Sequence, residues 1–265
     1  MLDDQELSRV TGIDEGYETP LVVIVQFPMK TKNSLGNEQY DTYPLAIVLT
    51  NNVVITASHY KPKFIHDYIH NPLELGIKTT TQETFALKLL WYLSHRYNED
   101  LDSILSKSRL IESTLGSATN NSQVYELMGY QQSMINFDSA LKDNQPIYDA
   151  LQNSENYFKS VEHDKLLGRI VRETVQASTT AGVGSEVITE YANLASTIVN
   201  NSLNHSIRIL TGIQILFGIF GVMGSVFGIN PIPGTNFGMG VYLIWGITTM
   251  FSVMVGFVLH KHDYL

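Results

Sequence analysis

Hydrophobic and polar positions change rhythm repeatedly along this 265-residue chain. Near the N-terminus they form short β-branched runs. Pro20–Phe27 (PLVVIVQF) and Tyr43–Thr50 (YPLAIVLT) are bounded by turn residues and predict strands. Residues 30–41 between them (KTKNSLGNEQYD) read as a polar loop. Asn51–Asn52 is a turn signal and Val53–Ala57 (VVITA) a third strand, so the last two strands predict a hairpin. Lys63–His70 predicts a short helix. From Thr81 the period becomes helical: Phe85, Leu89, Tyr92 and Leu93 follow i, i+4, i+7, i+8 spacing, continued by Leu101, Ile104, Leu105 and Leu115. Thr81–Thr84 (TQET) offers the helix start. Gly116–Asn121 (GSATNN) breaks the helix, Ser122–Leu151 resumes it, and a second break follows near Asn153–Ser154.

From about Asp164 the helical pattern runs to Ile229, a length on the order of 100 Å. Gly182 and Gly184 each cost about 1 kcal/mol relative to alanine and are where the sequence allows a kink or an interruption. So long a helix has no core of its own, which predicts packing against other helices or other copies.

The last stretch has a different character. From Ile209 to Leu259 there is no charged side chain. Two apolar blocks, Ile209–Ile229 and Phe237–Leu259, flank NPIPGTN, and each is about 20 residues long, enough to cross a hydrocarbon core as a helix. These blocks predict a lipid-bilayer protein with a large polar part ahead of a C-terminal hairpin. Arg208 precedes the first block, and Lys261, between His260 and His262, follows the second. Basic residues favour the cytoplasmic side. The acidic start MLDDQELSRVTG has no apolar core segment, so no signal peptide is read there. The expected topology is multi-pass in the cytoplasmic membrane with both termini cytosolic.

Composition changes the picture little. The mean hydropathy is close to zero because a polar part and an intensely apolar part average out. The chain lacks cysteine, which excludes disulfides and thiolate metal sites. Its net charge of −9 lies outside the apolar blocks, argues against nucleic acid and favours cations. His66 and His70 form an H-x-x-x-H pair, but the general-base glutamate and third ligand of a zinc-protease helix are missing, so solvated surface histidines are expected. No phosphate-binding G-x-x-x-x-G-K-[ST] and no G-x-S-x-G occurs, and no enzyme is expected.

The first apolar block carries a pattern within itself. Asn204, Thr211, Gln214, Gly218, Gly221 and Ser225 recur at spacings of three, four or seven, while Ile209, Ile213, Phe217 and Phe220 lie elsewhere. A polar face is costly in lipid and should meet a partner helix or water. Small-residue helix packing accounts for the glycines. A pore lined by one such face per subunit also accounts for Asn204 and Gln214. Span chemistry alone leaves both open.

The block ends in Phe227-Gly228-Ile229-Asn230, which resembles the aromatic-Gly-Met-Asn signature of the CorA family of divalent-cation (magnesium/cobalt) transporters. Asn201–Thr211 (NSLNHSIRILT) resembles the family's segment before the span, and Thr50–Thr56 (TNNVVIT) resembles its cytosolic strand pair. The resemblance covers most of the chain and is strongest over Leu166–Leu265. It implies a CorA-like funnel: an α/β cytosolic domain, a long stalk helix and two C-terminal transmembrane helices, assembled as a homopentamer.

Carried over by position, Gly228, Ile229 and Asn230 would form the ion-selectivity segment, with Asn230 contacting the metal at the outer mouth. Asn204, Ile207, Leu210, Gln214, Gly218 and Gly221 would line the pore, Ile207 and Leu210 as its apolar constriction. No covalently bound cofactor is implied; Mg²⁺, or Co²⁺ or Ni²⁺, enters as the transported ion. The same fold would serve a zinc transporter of the superfamily or a non-conducting membrane scaffold.

Three departures stand out. Ile229 replaces methionine, NPIPGTN carries no acid, and the family's metal-sensing carboxylate falls at Arg169, a residue that cannot ligate Mg²⁺. The expected organisation is 1–80 α/β domain, 81–163 helical hairpin, 164–229 stalk and first span, 230–236 external loop, 237–259 second span and 260–265 cytosolic tail.

Overall fold

The computed structural model describes residues 6–14, 19–70, 81–116, 119–229 and 237–261. It divides into two compact units, Met1–Ala195 and Ser196–Leu265.

The first unit is built on four antiparallel strands in the order β1 (Arg9–Thr11), β2 (Leu21–Lys32), β3 (Glu38–Leu49) and β4 (Val54–Ser58). β2 and β3 pair along their whole length, from Leu21↔Leu49 to Lys32↔Glu38. Residues 30–41 are therefore mostly strand, not the loop that their polarity suggests. The strands run on as a polar ribbon because side chains across it satisfy one another: Thr31 Oγ1 donates to Asp41 Oδ2 at 2.6 Å and Gln39 Nε2 to Asp41 Oδ1 at 2.9 Å. Only Asn33–Asn37 turns. The Asn33 carboxamide oxygen accepts the N–H of Leu35 (3.0 Å) and of Asn37 (2.9 Å), and Gly36 takes the positive φ of 82° that the turn demands.

Helices cover one face of this sheet. α1 (Lys63–His70), α2 (Gln82–Ser113) and α3 (Asn121–Gln152) meet the strands, and the start of α4 (Val161–Ile229) packs on α2 and α3. Thr81 caps α2, accepting the N–H of Thr84 at 3.2 Å, as TQET foretells. Asn120 and Gln123 form a capping box that starts α3. Leu21, Val23, Val25 and Phe27 of β2 and Leu45, Ile47 and Leu49 of β3 join the helices in one buried core. Alternation along each strand puts these residues on one face.

Asn144 of α3 reaches into this core and is fully buried. The β1–β2 ladder stops at Arg9↔Ile24, which leaves the backbone of Gln26 beyond its reach. The Asn144 carboxamide extends the ladder: its Oδ1 accepts the Gln26 N–H at 2.8 Å and its Nδ2 donates to the Gln26 carbonyl at 2.9 Å.

α4 is 69 residues long and continuous. Neither Gly182 nor Gly184 interrupts it. At Gly184 a Cβ would come within 3.1 Å of the Met134 Cε and 3.2 Å of a Leu105 methyl, so this glycine allows close approach to α3 and α2 instead of a kink. Leu167, Ile170, Ala177, Ala181 and Ile188 make a buried stripe at spacings of three, four or seven. The first part of the stalk thus has an intramolecular partner.

The second unit contains the remainder of α4 and α5 (Phe237–Lys261). Among the described residues, α4 contains a window of mean hydropathy 1.4 that meets the length and composition for crossing a bilayer, and only 6% of that window is buried. Thr248 and Ser252, one turn apart on α5, are buried within this apolar pair of helices.

Candidate ion pathway

The proposed pore residues share one helix and one side of it. At 100° per residue, Asn204, Ile207, Leu210, Thr211, Gln214, Gly218, Gly221 and Ser225 fall within an arc of about 120°. Asn204, Ile207, Leu210, Gln214, Gly218 and Gly221 are all exposed in the single chain. The exposure of Ile207 is 51% and of Leu210 56%, high for aliphatic residues beside polar neighbours. Most of this arc is left bare by its own chain, as are the off-arc Ile209, Ile213, Phe217 and Phe220.

Gly218 sits near the middle of the arc, yet its own chain approaches it. It lines an apolar groove of about 440 Å³ with Ile215, Ile219 and Val222 of α4 and Ile247 and Phe251 of α5. A helical glycine beside a neighbouring helix is the small-residue packing that the span pattern also allowed. Asn204 is set differently. It lines a polar groove of about 400 Å³ with Ile198, Asn201, Ser202, His205 and Arg208. Asn201, Ser202 and His205 do not stand out in the sequence, although counted from Ile198 they fall at i+3, i+4 and i+7, the pattern of one helix face.

Gly228 and Ile229 are the last two residues of α4, and Asn230 lies outside the described residues. Of the expected selectivity segment, the structure therefore places only Gly228 and Ile229, at the end of α4.

Elsewhere the candidates separate from the pathway. His66 and His70 sit on α1, exposed, with rings stacked at 4.1 Å and the His70 Nδ1 2.9 Å from the His66 carbonyl. Among the described residues no three metal-ligating side chains converge. The Arg169 guanidinium lies 5.2 Å from the centroid of the Trp91 ring, and Trp91 Nε1 donates to Glu173 Oε1 at 2.9 Å.

The CorA-like Mg²⁺ transporter protein family matches residues 1–261. The chain belongs to the CorA family.

Relatives agree with that placement. The cobalt/magnesium transport protein CorA of Methanocaldococcus jannaschii is 19% identical over 270 residues, covering 100% of this chain and 82% of the relative. The complete structure of the CorA magnesium transporter from the same organism superposes with a TM-score of 0.73 at 17% identity, over 100% of this chain and 82% of that one. The full-length CmaX protein gives a TM-score of 0.68 at 18% identity, over 97% of this chain and 79% of that one. The α/β region with its long helix is thus the CorA fold. The chain is a member of a family of divalent-cation transporters, which are membrane proteins and not enzymes.

Proposed function

We propose that several copies of this chain, five by resemblance to the family, bring their α4 spans around a common axis and conduct divalent cations, Mg²⁺ foremost and Co²⁺ and Ni²⁺ with it. The observation that carries this reading is the bare polar arc of α4 from Asn204 to Gly221, in a helix otherwise suited to lipid. An amide such as Gln214 facing lipid alone would be costly, and copies that turn the arc inward remove that cost.

The chemistry of the arc suits a hydrated ion. Mg²⁺ sheds water reluctantly and prefers oxygen ligands. Amides at Asn204 and Gln214 and small residues at Gly218 and Gly221 offer oxygens and room for water. Ile207 and Leu210 make an apolar ring near the start of the span, where dewetting closes a pore. Asn230 follows Ile229 directly in sequence, and in this reading its carboxamide is the oxygen donor offered to the arriving cation. No charge in the span binds the ion tightly, so passage is driven by the membrane potential, about 2.3 kcal/mol per charge for each 100 mV. With both termini cytosolic, the chain's acidic surface enriches cations on the water side of the span.

The test is reconstitution of the full-length chain into liposomes, with flux measured metal by metal. Mg²⁺ uptake that rises with an inside-negative potential is expected. An oligomer that inserts normally and passes no divalent cation overturns the reading and leaves a scaffold with the family fold. Flux confined to Zn²⁺ overturns the ion assignment.

A further inference from the structure

Among the described residues, five buried side-chain polar atoms have no hydrogen-bond partner. Two of them, His163 Nδ1 and Glu173 Oε2, belong to histidine–glutamate pairs, and both pairs bridge α2 and α4. The first joins His163, in the first turn of α4, to Glu83, in the first turn of α2, with Nδ1 3.5 Å from Oε2. The His163 side chain is 8% exposed, and its Nε2 lies 2.9 Å from Thr84 Oγ1. Phe158 closes the site: its ring meets the imidazole edge-on at 6.0 Å, and its backbone N–H reaches Glu83 Oε1 at 3.4 Å.

The second pair exchanges the roles of the helices. His95 belongs to α2 and Glu173 to α4, with Nδ1 4.0 Å from Oε2. The other imidazole nitrogen lies 3.8 Å from Glu99 Oε1. His95 stacks on Trp91 at 5.7 Å, and Trp91 in turn holds Glu173 Oε1.

We propose that these two pairs form a proton-operated clasp: protonation of His163 and His95 at mildly acidic pH draws the start of α4 onto α2, and deprotonation loosens it. A neutral imidazole has one N–H and one bare nitrogen, whereas an imidazolium donates from both. His95 faces a carboxylate on each side, so its neutral ring must turn a lone pair toward one of them. The imidazolium removes that conflict and gives Glu173 Oε2 the donor it lacks. At His163 the same proton makes the contact to Glu83 charge-assisted while Thr84 keeps its bond to Nε2. Separations of 3.5 and 4.0 Å leave room for both pairs to close to hydrogen-bond length.

The surrounding charges allow this. Glu83 faces His163 from α2; on α4 itself the flanking Glu162 and Asp164 are exposed and acidic. Around His95 the acids Glu99 and Glu173 outnumber uncommitted cations: Arg96 pairs with Glu99 at 3.1 Å and Asp100 at 2.9 Å, and Arg169 lies over Trp91. Exposed Arg172 adjoins Glu173 in sequence. Asp100, which burial pushes up to about 6 despite Arg96, also takes up a proton between the two pH values of the test and needs its own control.

The experiment is amide hydrogen exchange of the full-length protein in detergent at pH 7.5 and 6.0, corrected for intrinsic exchange, with Trp91 fluorescence read alongside. Exchange over residues 161–173 is expected to slow about fivefold at the lower pH, the size of one strengthened ion pair. Trp91 emission falls as the stacked imidazole charges. Asp100→Asn retains both responses; the double variant His95→Gln/His163→Gln loses them. Glu173→Gln, which leaves both imidazoles in place, loses the extra protection near residue 173 and covers the case of a double variant that does not fold. No slowing in the wild type, or full slowing in Glu173→Gln and the double variant, overturns the clasp. Neither readout depends on ion conduction.

Discussion

Arg169 of α4 lies over the indole of Trp91 of α2, with its guanidinium carbon 5.2 Å from the ring centroid. One turn further along α4, Glu173 accepts the N–H of the same indole. The stalk therefore grips Trp91 by its face and by its edge. A guanidinium held this way contributes about 0.5–1 kcal/mol at an exposed site and repels a dication. Limited proteolysis with and without millimolar Mg²⁺ tests the consequence. Wild type gains no protection through this position, whereas Arg169→Asp, which supplies a hard oxygen ligand, gains Mg²⁺-dependent protection of α4. Equal and full protection of both proteins would move metal sensing to other residues.

Asn230→Ala should lower divalent-cation flux at least about tenfold, the equivalent of one lost hydrogen bond of about 1.4 kcal/mol to the ion's water. Its carboxamide is the one side-chain oxygen in FGIN. Insertion and oligomer size should be unchanged, since a single amide at the end of a span adds little to packing. Near-normal flux from a well-inserted variant removes Asn230 from the pathway.

Assembly follows from the same arc. With Asn204, Gln214 and Gly221 exposed on α4, a lone chain leaves an amide face in lipid. Mass measurement in detergent should give a homo-oligomer, five-fold by the family resemblance. Monomers alone would remove the pore.

What the sequence shows and hides divides along physical lines. The two apolar C-terminal helices and the α2 cap were legible, because an uncharged run and a TQET start act locally. The 30–41 ribbon was not. Its residues are polar, and what makes them strands is pairing in register plus α3: Ser133 Oγ accepts the Tyr40 N–H at 2.8 Å, and Asn136 Nδ2 donates to the Tyr40 carbonyl at 3.2 Å. Gly184 looked like a weak point because its partners, Met134 and Leu105, are remote in sequence. The polar and small face of α4 was legible as a period, yet Gly218 shows its limit, since a small residue suits a lumen and a helix contact alike.

Asn144 supplies a stability prediction. Asn144→Leu keeps the volume and removes both bonds to the Gln26 backbone, leaving a buried N–H without a partner. Such an orphan costs about 1–3 kcal/mol, and the lost contact from Ser8 Oγ at 2.9 Å adds to it. Denaturant unfolding of the protein in detergent should therefore show a loss of about 2–4 kcal/mol. A loss below about 0.5 kcal/mol would mean that the strand edge is satisfied without Asn144.

Asp100 sets a pH dependence whose sign can be worked out. Its residue is 4% exposed, and burial raises its pKa from 3.8 to about 6 although Arg96 lies 2.9 Å away. Between these values the folded protein holds a proton that the unfolded chain has released. Stability from this group is therefore present at the acidic end and is lost as pH rises through 6. A shift of about two units corresponds to on the order of 3 kcal/mol of destabilisation at pH 8. Asp100→Asn abolishes the titration while leaving a side chain of the same shape. It also leaves Arg96 without that partner, which offsets about 1 kcal/mol because Glu99 still pairs with the guanidinium. The variant should thus be about 1–2 kcal/mol more stable than wild type at pH 8, with the advantage vanishing as pH falls toward 4.5. Unfolding of both proteins at pH 8, 6 and 4.5 reads this directly. A variant less stable at pH 8 would show that the ion pair with Arg96 outweighs the burial of Asp100.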